Sequence, residues 1–176
     1  MSQPDESVLK KVQIRWLIRR DHSEVLRIER ECYSIPWSGE DFLHCLRQRN
    51  CIGMAVEVDQ RVVGYMVYEL HKSRLVILNM AVDRACWRRK IGTAMVSLLI
   101  DKLSQQRRNE IHAFTREGNL PAQKFLQAMG FTCKRIVSGY FNDSDEDAYQ
   151  FVYRRHTAPE GMLEPTNRIS DLLEGT

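Results

Sequence analysis

The sequence predicts one mixed α/β domain, in which a central sheet of about seven strands is flanked by about four helices on both faces. Strand-length apolar runs and amphipathic helical stretches follow one another in the order β-α-α-β-β-β-α-β-α-β-β. Two strand–helix–strand units predict partly parallel pairing, and the hairpins predict antiparallel pairing. The chain has 176 residues, of which 43% are hydrophobic and 28% charged, which suits one domain with a substantial core.

The strands are predicted where apolar and β-branched residues cluster between turn residues. Asp59-Gln60 is short enough to be the turn of a hairpin between the second and third strands. The predicted strands cover residues 12–18, 51–58, 61–69, 75–83, 110–115, 131–139 and 148–155.

The helices are predicted from capping residues and from apolar residues spaced three and four apart, over residues 21–32, 38–47, 91–106 and 119–130. Asp21 followed by Glu24 predicts a capping box at the first helix, and Ser38 predicts the cap of the second. Pro36 separates these two helices, because it disfavours the helical conformation of the preceding residue. Gly130 fits the left-handed position that ends the fourth helix.

The central strand and its following helix are joined by a basic loop. The loop runs from Arg84 to Lys90 and contains four cationic side chains, and Gly92 lies in the first turn of the helix. The first amides of a helix have no intrahelical partner, and the helix dipole favours anions there. This arrangement predicts a phosphate site, and the alternative is an ordinary strand–loop–helix with solvated arginines.

Composition narrows the classes of function. The net charge of +3 is too small to argue for nucleic-acid binding without a focused basic patch, and the cysteines and histidines lack metal-ligand spacing. No apolar run approaches the roughly 20 residues of a membrane span, and the N-terminus lacks the apolar core of a signal peptide. We therefore expect a cytoplasmic protein, monomeric or homodimeric, without metal. Residues 1–11 are expected to be a flexible lead, 12–156 the domain and 157–176 a polar tail.

Five motifs in order give the chain a resemblance to the GNAT N-acetyltransferase superfamily, and specifically to RimI-like enzymes that acetylate protein N-termini. They cover roughly residues 12–155. The motifs are Ile35-Pro36-Trp37-Ser38, Asn79 to Asp83, Arg88 to Ala94, Asn119-x-x-Ala122-x-x-Phe125 with Gly130-Phe131, and Tyr140-Phe141 with Asp145 to Ala148.

The resemblance implies a fold, a donor and a set of site residues. The donor is acetyl-CoA, and the acceptor is a protein N-terminus, such as that of a ribosomal protein, or a small amine. The implied acetyl-CoA site comprises Met80, Ala81, Val82, Arg88, Arg89, Lys90, Ile91, Gly92, Thr93, Ala94, Asn119 and Phe125. The implied acceptor site comprises Tyr33, Pro36, Trp37 and Tyr140. The backbone amide of Val82 is implied to bind the oxyanion.

The chain departs from the family pattern at four positions. Trp87 stands where the phosphate motif usually has Gln or Arg, and Lys90 stands where it has its first Gly. Phe114 aligns with the glutamate that serves RimI-like enzymes as general base, and Leu126 aligns with their tyrosine general acid. Neither Phe114 nor Leu126 can carry a proton, so the proton-transfer residues of the family are missing.

Three side chains are candidates for the missing proton transfer, namely Glu29, Glu31 and Tyr140. Each has a plain structural alternative, because Glu31 also fits a solvated helix face and Tyr140 a half-buried aromatic position. Three functions are therefore open: an acetyltransferase acting on protein N-termini, one acting on a small amine, and an acyl-CoA-binding module without catalysis. Nucleic-acid binding by the basic loop is the least favoured alternative, and it would give strongly salt-dependent binding.

Overall fold

The computed structural model of the protein describes residues 12–156, so the predictions for 1–11 and 157–176 lie outside the described residues. Within that range the strands are β1 (Val12–Trp16), β2 (Cys51–Val58), β3 (Arg61–Leu70), β4 (Arg74–Val82), β5 (Glu110–Arg116), β6 (Thr132–Val137) and β7 (Ala148–Arg154). The α-helices are α1 (His22–Cys32), α2 (Gly39–Leu46), α3 (Ile91–Gln105) and α4 (Leu120–Ala128). The predicted fold of seven strands and four helices is confirmed. No helix among the described residues is long and apolar enough to cross a membrane.

All seven strands form one sheet in the order β1-β2-β3-β4-β5-β7-β6. Among the strands of residues 12–156, only β4 and β5 pair in parallel, and the other neighbours are antiparallel. The parallel pair is joined by α3, as a parallel connection requires. The sheet is therefore mixed, as the strand–helix–strand units and hairpins predicted.

The two faces of the sheet bury separate apolar cores. Val25, Ile28 and Phe42 of α1 and α2 pack with Tyr65 against one face, which we call the α1–α2 face. On the opposite face, the α3–α4 face, α3 and α4 cover the larger core, which includes Met95, Leu99, Leu103, Ile111, Leu126 and Phe151. Helices therefore lie on both faces of the sheet.

The predicted caps had different outcomes. Ser38 caps α2 as predicted, since its Oγ accepts from the Asp41 amide at 3.2 Å and Asp41 accepts from the Ser38 amide at 2.7 Å. The capping box predicted at Asp21 is wrong. A short 3-10 turn places Asp21 in helical conformation, and its carboxylate turns back to accept from the Ile18 amide at 2.9 Å and from Arg15 at 2.7 Å.

The predicted turn residues are confirmed by their backbone angles. Asp59 and Gln60 have φ of 51° and 64°, the pair of left-handed residues that a tight hairpin with strand-like twist requires. Gly130 has φ of 91° and follows the end of α4.

The parallel strands β4 and β5 separate halfway along their length. Their pairing begins at Arg74–Glu110 and ends at Ile77–Ala113, although β4 continues to Val82 and β5 to Arg116. On the other side of β4 the register with β3 jumps by one residue, because Tyr68 pairs with Ile77 and Val67 with Asn79. Leu78 is thus the extra residue of a β-bulge, which bends β4 where it leaves β5. We call the resulting V-shaped gap between β4 and β5 the splay.

Candidate active site

The wall of the splay formed by β4 presents backbone groups that pair with no neighbouring strand among the described residues. The Asp83 amide donates to the Val63 carbonyl of β3 at 2.8 Å. Because alternate residues of a strand direct their backbone groups to opposite sides, the amides and carbonyls of Met80 and Val82 point away from β3, toward the splay. Side chains confirm this direction. The Val82 carbonyl accepts from Trp87 Nε1 at 2.7 Å, and the Met80 carbonyl accepts from the hydroxyl of Tyr33. The amides of Met80 and Val82 are therefore turned to the gap, beyond the point where β5 pairs.

The basic loop leads directly from the top of β4 to the N-terminus of α3. The first intrahelical bond of α3 runs from the Ala94 amide to the Lys90 carbonyl at 3.0 Å, which leaves the amides of residues 91–93 without an intrahelical partner. The cationic side chains of the loop are exposed around them: Arg84, Arg88, Arg89 and Lys90. Free amides, a helix dipole and exposed cations together suit an anionic diphosphate.

The loop keeps a glycine-like geometry although its first glycine is replaced. Lys90 adopts a left-handed conformation with φ of 60°, and Arg88 does so with φ of 61°. Left-handed backbone costs an L-residue roughly 1–2 kcal/mol, so these positions are strained. Such turns aim successive amides into a concavity that suits anions. Lys90 thus adopts a backbone conformation that glycine favours, at a cost in local energy.

Gly92 lies under the ring of Phe125 from α4. A Cβ at Gly92 would come 3.3 Å from Phe125 Cζ, so the absence of a side chain lets the two helices meet at the start of α3. Asn119 begins α4, and its Oδ1 accepts from the Ala122 amide at 3.2 Å. The structure thus joins Gly92 and Phe125 and gives Asn119 a capping role.

The segment between α1 and α2 is fixed by a buried carboxylate. Glu29 is 1% exposed, and it accepts from the Trp37 amide at 2.7 Å, from Asn79 Nδ2 at 3.1 Å and from the hydroxyl of Tyr65. Burial raises the pKa of Glu29. Glu29 therefore ties the segment Tyr33–Trp37 to β3 and β4. Since it is buried, it is not placed to meet an acceptor amine.

The side chains of this segment line the α1–α2 side of the splay. The Tyr33 hydroxyl reaches β4, and burial raises the pKa of this phenol. The Trp37 ring packs against Phe42, with 5.1 Å between centroids. Pro36 is exposed between them. Tyr33 thus reaches the splay, whereas the Trp37 ring packs in the α1–α2 core, and the acceptor roles of Pro36 and Trp37 stay predictions.

The opposite wall is formed by β5 and the loop between β6 and β7. Phe114 and Tyr140 stack, with ring centroids 4.3 Å apart and planes 11° from parallel. Burial raises the pKa of Tyr140, and the negative charge of Glu69 raises it further. Arg116 holds the loop by two hydrogen bonds to Asp143, at 2.7 and 2.8 Å. Tyr140 is therefore a protonated phenol at neutral pH, held over β5.

Comparison with known proteins decides the family. A sequence model of the acetyltransferase (GNAT) family matches residues 14–131, more than half of the chain. The chain belongs to the acetyltransferase (GNAT) family. The family transfers acetyl groups from acetyl-CoA to amines, so the protein is an acetyl-CoA-dependent N-acetyltransferase.

Three individual GNAT proteins illustrate the similarity. An uncharacterised N-acetyltransferase of Methanocaldococcus jannaschii is 29% identical over 152 residues, which cover 85% of this chain and 96% of that protein. The ribosomal protein bS18-alanine N-acetyltransferase of Salmonella typhimurium is 24% identical over 115 residues, covering 65% and 77%. The crystal structure of the Escherichia coli ribosomal-protein-S18-alanine N-acetyltransferase superposes with a TM-score of 0.74 at 21% identity, covering 86% of this chain and 99% of that one.

Two positions of this GNAT protein are occupied by side chains without acid–base chemistry. Phe114 lies on β5, one residue beyond the last β4–β5 pair, and contributes only its ring. Leu126 is 4% exposed and belongs to the α3–α4 core. Glu31, predicted as catalytic, lies on the exposed side of α1, where both of its oxygens accept from Arg27 Nη1 at 3.0 and 3.1 Å. Glu31 is thus engaged in an ion pair, and its catalytic role stays a prediction.

Sequence reasoning missed the anchoring role of Glu29 and gave Glu69 no role. Glu29 had a signal, because it follows Val25 by four residues and so lies on the apolar stripe of α1. A carboxylate on such a stripe is expected to be buried with partners. Glu69 ends an apolar strand and gives no such signal, since a charged strand end is usually solvated.

Proposed function

We propose that this GNAT protein acetylates the α-amino group of a protein N-terminus, by direct attack of the amine on acetyl-CoA in a ternary complex. The observation that carries the proposal is the splay, because it joins unpaired amides of β4 to the free N-terminus of α3. A ribosomal protein N-terminus is the favoured acceptor class, since a relative is named for alanine N-acetylation of ribosomal protein bS18. Such an acceptor fits a cytoplasmic enzyme.

The donor would be held largely by backbone groups. The amides of residues 91–93 and the exposed cations of the loop suit the diphosphate of acetyl-CoA. The amides and carbonyls of Met80 and Val82 suit the pantetheine arm and the thioester. In this structure the two carbonyls accept hydrogen bonds from the Tyr33 hydroxyl and from Trp87 Nε1, which a bound donor would replace. The Val82 amide is our candidate for binding the oxyanion, a role that needs no particular side chain.

An α-amine is the acceptor that least needs a dedicated base. Its pKa is near 8, so roughly a tenth is neutral at pH 7, whereas a lysine amine near 10.4 is neutral about once in several thousand. Delivering the neutral form therefore costs about 1.4 kcal/mol for an N-terminus and nearly 5 kcal/mol for a lysine. Alignment of the two reactants can supply several kcal/mol by itself.

The acceptor peptide would lie between Tyr33–Trp37 and Tyr140. Tyr140 keeps its proton at neutral pH because burial raises its pKa, and it can therefore donate a hydrogen bond to the leaving thiolate. Tyr33, Pro36 and Trp37 would form the facing wall, which Glu29 holds to the sheet.

The test is turnover of acetyl-CoA with a panel of short peptides, followed by release of free thiol. The panel pairs each free N-terminus with the same peptide blocked at its N-terminus and carrying one internal lysine. Turnover on free N-termini and not on blocked peptides is expected. Equal or faster turnover on the blocked peptides, or turnover on small amines alone, would contradict the proposal.

A second candidate function is a GNAT enzyme that acts on a small amine, and it would share the same donor site. The peptide panel separates the two candidates, because this one predicts thiol release with small amines and none with peptides.

A further inference from the structure

We propose that Glu69 of β3 binds the ammonium of the acceptor and accepts its proton, the task that Phe114 cannot perform. The proposal rests on the proposed function, because it names a residue for that reaction. It assigns the base to a different strand from the one that the aligned general-base position predicts.

Glu69 lies at the base of the splay, on the acceptor side. In the sheet register Glu69 pairs with Val76 of β4, and Val76 pairs with His112 of β5, so the three side chains share one face. That face is the α1–α2 face, because Val67, two residues before Glu69, packs in the α1–α2 core. Phe114 follows His112 by two residues and lies on the same face. The next pair along, Ile77–Ala113, is the last before the strands part.

The other ionisable groups of this row are already engaged. His112 contacts Glu110 through Nε2 at 2.7 Å and Gln150 through Nδ1 at 3.2 Å, so both ring nitrogens are occupied. Glu110 also accepts from Arg154 at 2.6 Å. His112 and Glu110 are therefore held in contacts of their own.

One of the two carboxylate oxygens of Glu69 has no hydrogen-bond partner among the described residues. Its Oε2 contacts His71 Nε2 at 2.8 Å, and the contacts of the described residues include none to its Oε1. The Glu69 side chain is 29% exposed, so a ligand can reach it. A carboxylate with one anchored and one open oxygen can accept a charge-assisted hydrogen bond from an ammonium group.

Tyr140 brings the open carboxylate into the acceptor site. Its ring is stacked on Phe114, and its phenol lies close enough to Glu69 for the carboxylate charge to raise the Tyr140 pKa. The Tyr140 phenol of the β6–β7 loop and the Glu69 carboxylate of β3 therefore lie on the same face, near the base of the splay. A peptide ammonium bound there would meet a hydrogen-bond acceptor from each of them.

The reaction that Glu69 would serve is balanced in atoms and charge. An N–H bond of the ammonium breaks, and the proton passes to Glu69 Oε1, which leaves a lone pair on nitrogen. The neutral amine forms the new C–N bond, the C–S bond breaks, and the second nitrogen proton passes to the thiolate to give the free thiol. Glu69 then releases its proton to solvent. Each turnover thus converts one ammonium and one thioester into one amide, one thiol and one proton.

The titratable groups that face Glu69 come from several elements. They are His71 of the turn after β3, Cys45 of α2, Cys51 of β2 and Tyr140 of the β6–β7 loop. The apolar Val76 separates Glu69 from His112. A pH profile must therefore be compared with that of a variant that leaves all of these in place, and Glu69→Gln does so.

The experiment measures kcat/KM for the best peptide from about pH 6 to 9.5, a range that spans the amine pKa, in the wild type and in Glu69→Gln. At pH 7 the variant is expected to lose up to about 10-fold, because roughly a tenth of the α-amine is already neutral at that pH. The loss should shrink as pH rises past the amine pKa near 8, because the peptide then arrives neutral. Acetyl-CoA affinity by calorimetry should be unchanged, which shows that the donor site and the fold are intact.

Two further variants make the result specific. Glu110→Gln removes the other carboxylate that is paired with a histidine on this face and is expected to keep the wild-type profile. Adding Phe114→Glu to Glu69→Gln is expected to restore activity near pH 7, since it returns a carboxylate to β5. Wild-type rate and pH profile in Glu69→Gln would overturn the inference while leaving the proposed function standing. Absence of wild-type turnover on every peptide would overturn the proposed function, and the role of Glu69 with it.

Discussion

The donor side and the acceptor side of the splay offer different kinds of chemical group to their ligands. On the donor side the proposed working groups are backbone amides and carbonyls, at Met80 and Val82 of β4 and at residues 91–93 of α3. On the acceptor side they are side chains, chiefly Tyr33, Glu69 and Tyr140. The acceptor side has Phe114 and Leu126 at the two positions where the family resemblance predicts proton carriers.

This difference shows which substitutions a site tolerates. Every residue except proline carries an amide, so Lys can replace Gly at position 90 if it accepts the left-handed conformation, as its φ of 60° shows. A proton carrier has no such freedom, because Phe114 and Leu126 lack any ionisable group. We therefore expect donor-side variants to change the affinity for acetyl-CoA through the local geometry. We expect acceptor-side variants to change the pH dependence of the rate.

The largest expected effect is on the donor side. Gly92→Glu should weaken acetyl-CoA binding at least ~100-fold, because it sets a carboxylate near the phosphate amides and a Cβ 3.3 Å from the Phe125 ring. Calorimetric titration measures the loss, and circular dichroism checks the fold. Gly92→Ala is the matched control, which adds the Cβ without the charge and should lose far less. Wild-type affinity in Gly92→Glu would show that the diphosphate does not bind at the start of α3.

The next effect concerns the anchor of the acceptor wall. Glu29→Ala should destabilise the fold by roughly 2–4 kcal/mol, because it leaves the Trp37 amide and Asn79 without their buried acceptor. Urea denaturation measures it. Glu31→Ala, on the same helix but exposed, should change the free energy of unfolding by less than ~0.5 kcal/mol. Similar losses in the two variants would mean that Glu29 is not an anchor.

The same carboxylate predicts a pH dependence of stability. Burial raises the pKa of Glu29 above its ordinary value of 4.5, so its contribution is complete below that value and is lost as pH rises through the folded-state pKa. The wild type should therefore lose stability relative to Glu29→Gln between about pH 4.5 and 7.5. Urea denaturation of the two proteins at both pH values tests this, and a constant difference would contradict it.

A smaller effect is expected when a carboxylate is returned to β5. Phe114→Glu in the wild type should raise kcat/KM at pH 7 by about 3- to 10-fold, or move the pH optimum downward, because it adds a second proton acceptor. Phe114→Leu controls for the loss of the stack with Tyr140. If the pH–rate profile of Phe114→Glu matched that of Phe114→Leu, proton removal would not depend on position 114.

The smallest effect tests the strained loop. Lys90→Gly should raise stability by about 0.5–1 kcal/mol, because glycine adopts the left-handed conformation without the cost that Lys90 bears, less its own chain entropy. Lys90→Ala removes the charge and keeps the strain, so it should not share the gain. Thermal unfolding compares the three proteins, and equal gains in both variants would assign the effect to charge.

Sequence reasoning predicted the fold correctly, and it predicted a donor side, because both predictions depend on local patterns. Apolar periodicity placed the strands and helices, and Gly130 and Asp59-Gln60 marked turns through their backbone demands. The splay could not be predicted from the sequence, because the bulge at Leu78 arises from the register between β3 and β4. The Asp21 capping box failed for a different reason, because a short 3-10 turn directs that carboxylate to the nearby Ile18 amide and Arg15 instead of into the helix. The register between strands is set by partners far apart in the chain, and no local pattern encodes it.

A crystal structure with acetyl-CoA tests the central claim most directly. We expect the diphosphate on the amides of residues 91–93, the pantetheine arm along Met80–Val82, and the Trp87 indole released from the Val82 carbonyl. A splay closed by Trp87 and Tyr33, with the ligand bound elsewhere on the protein, would contradict it.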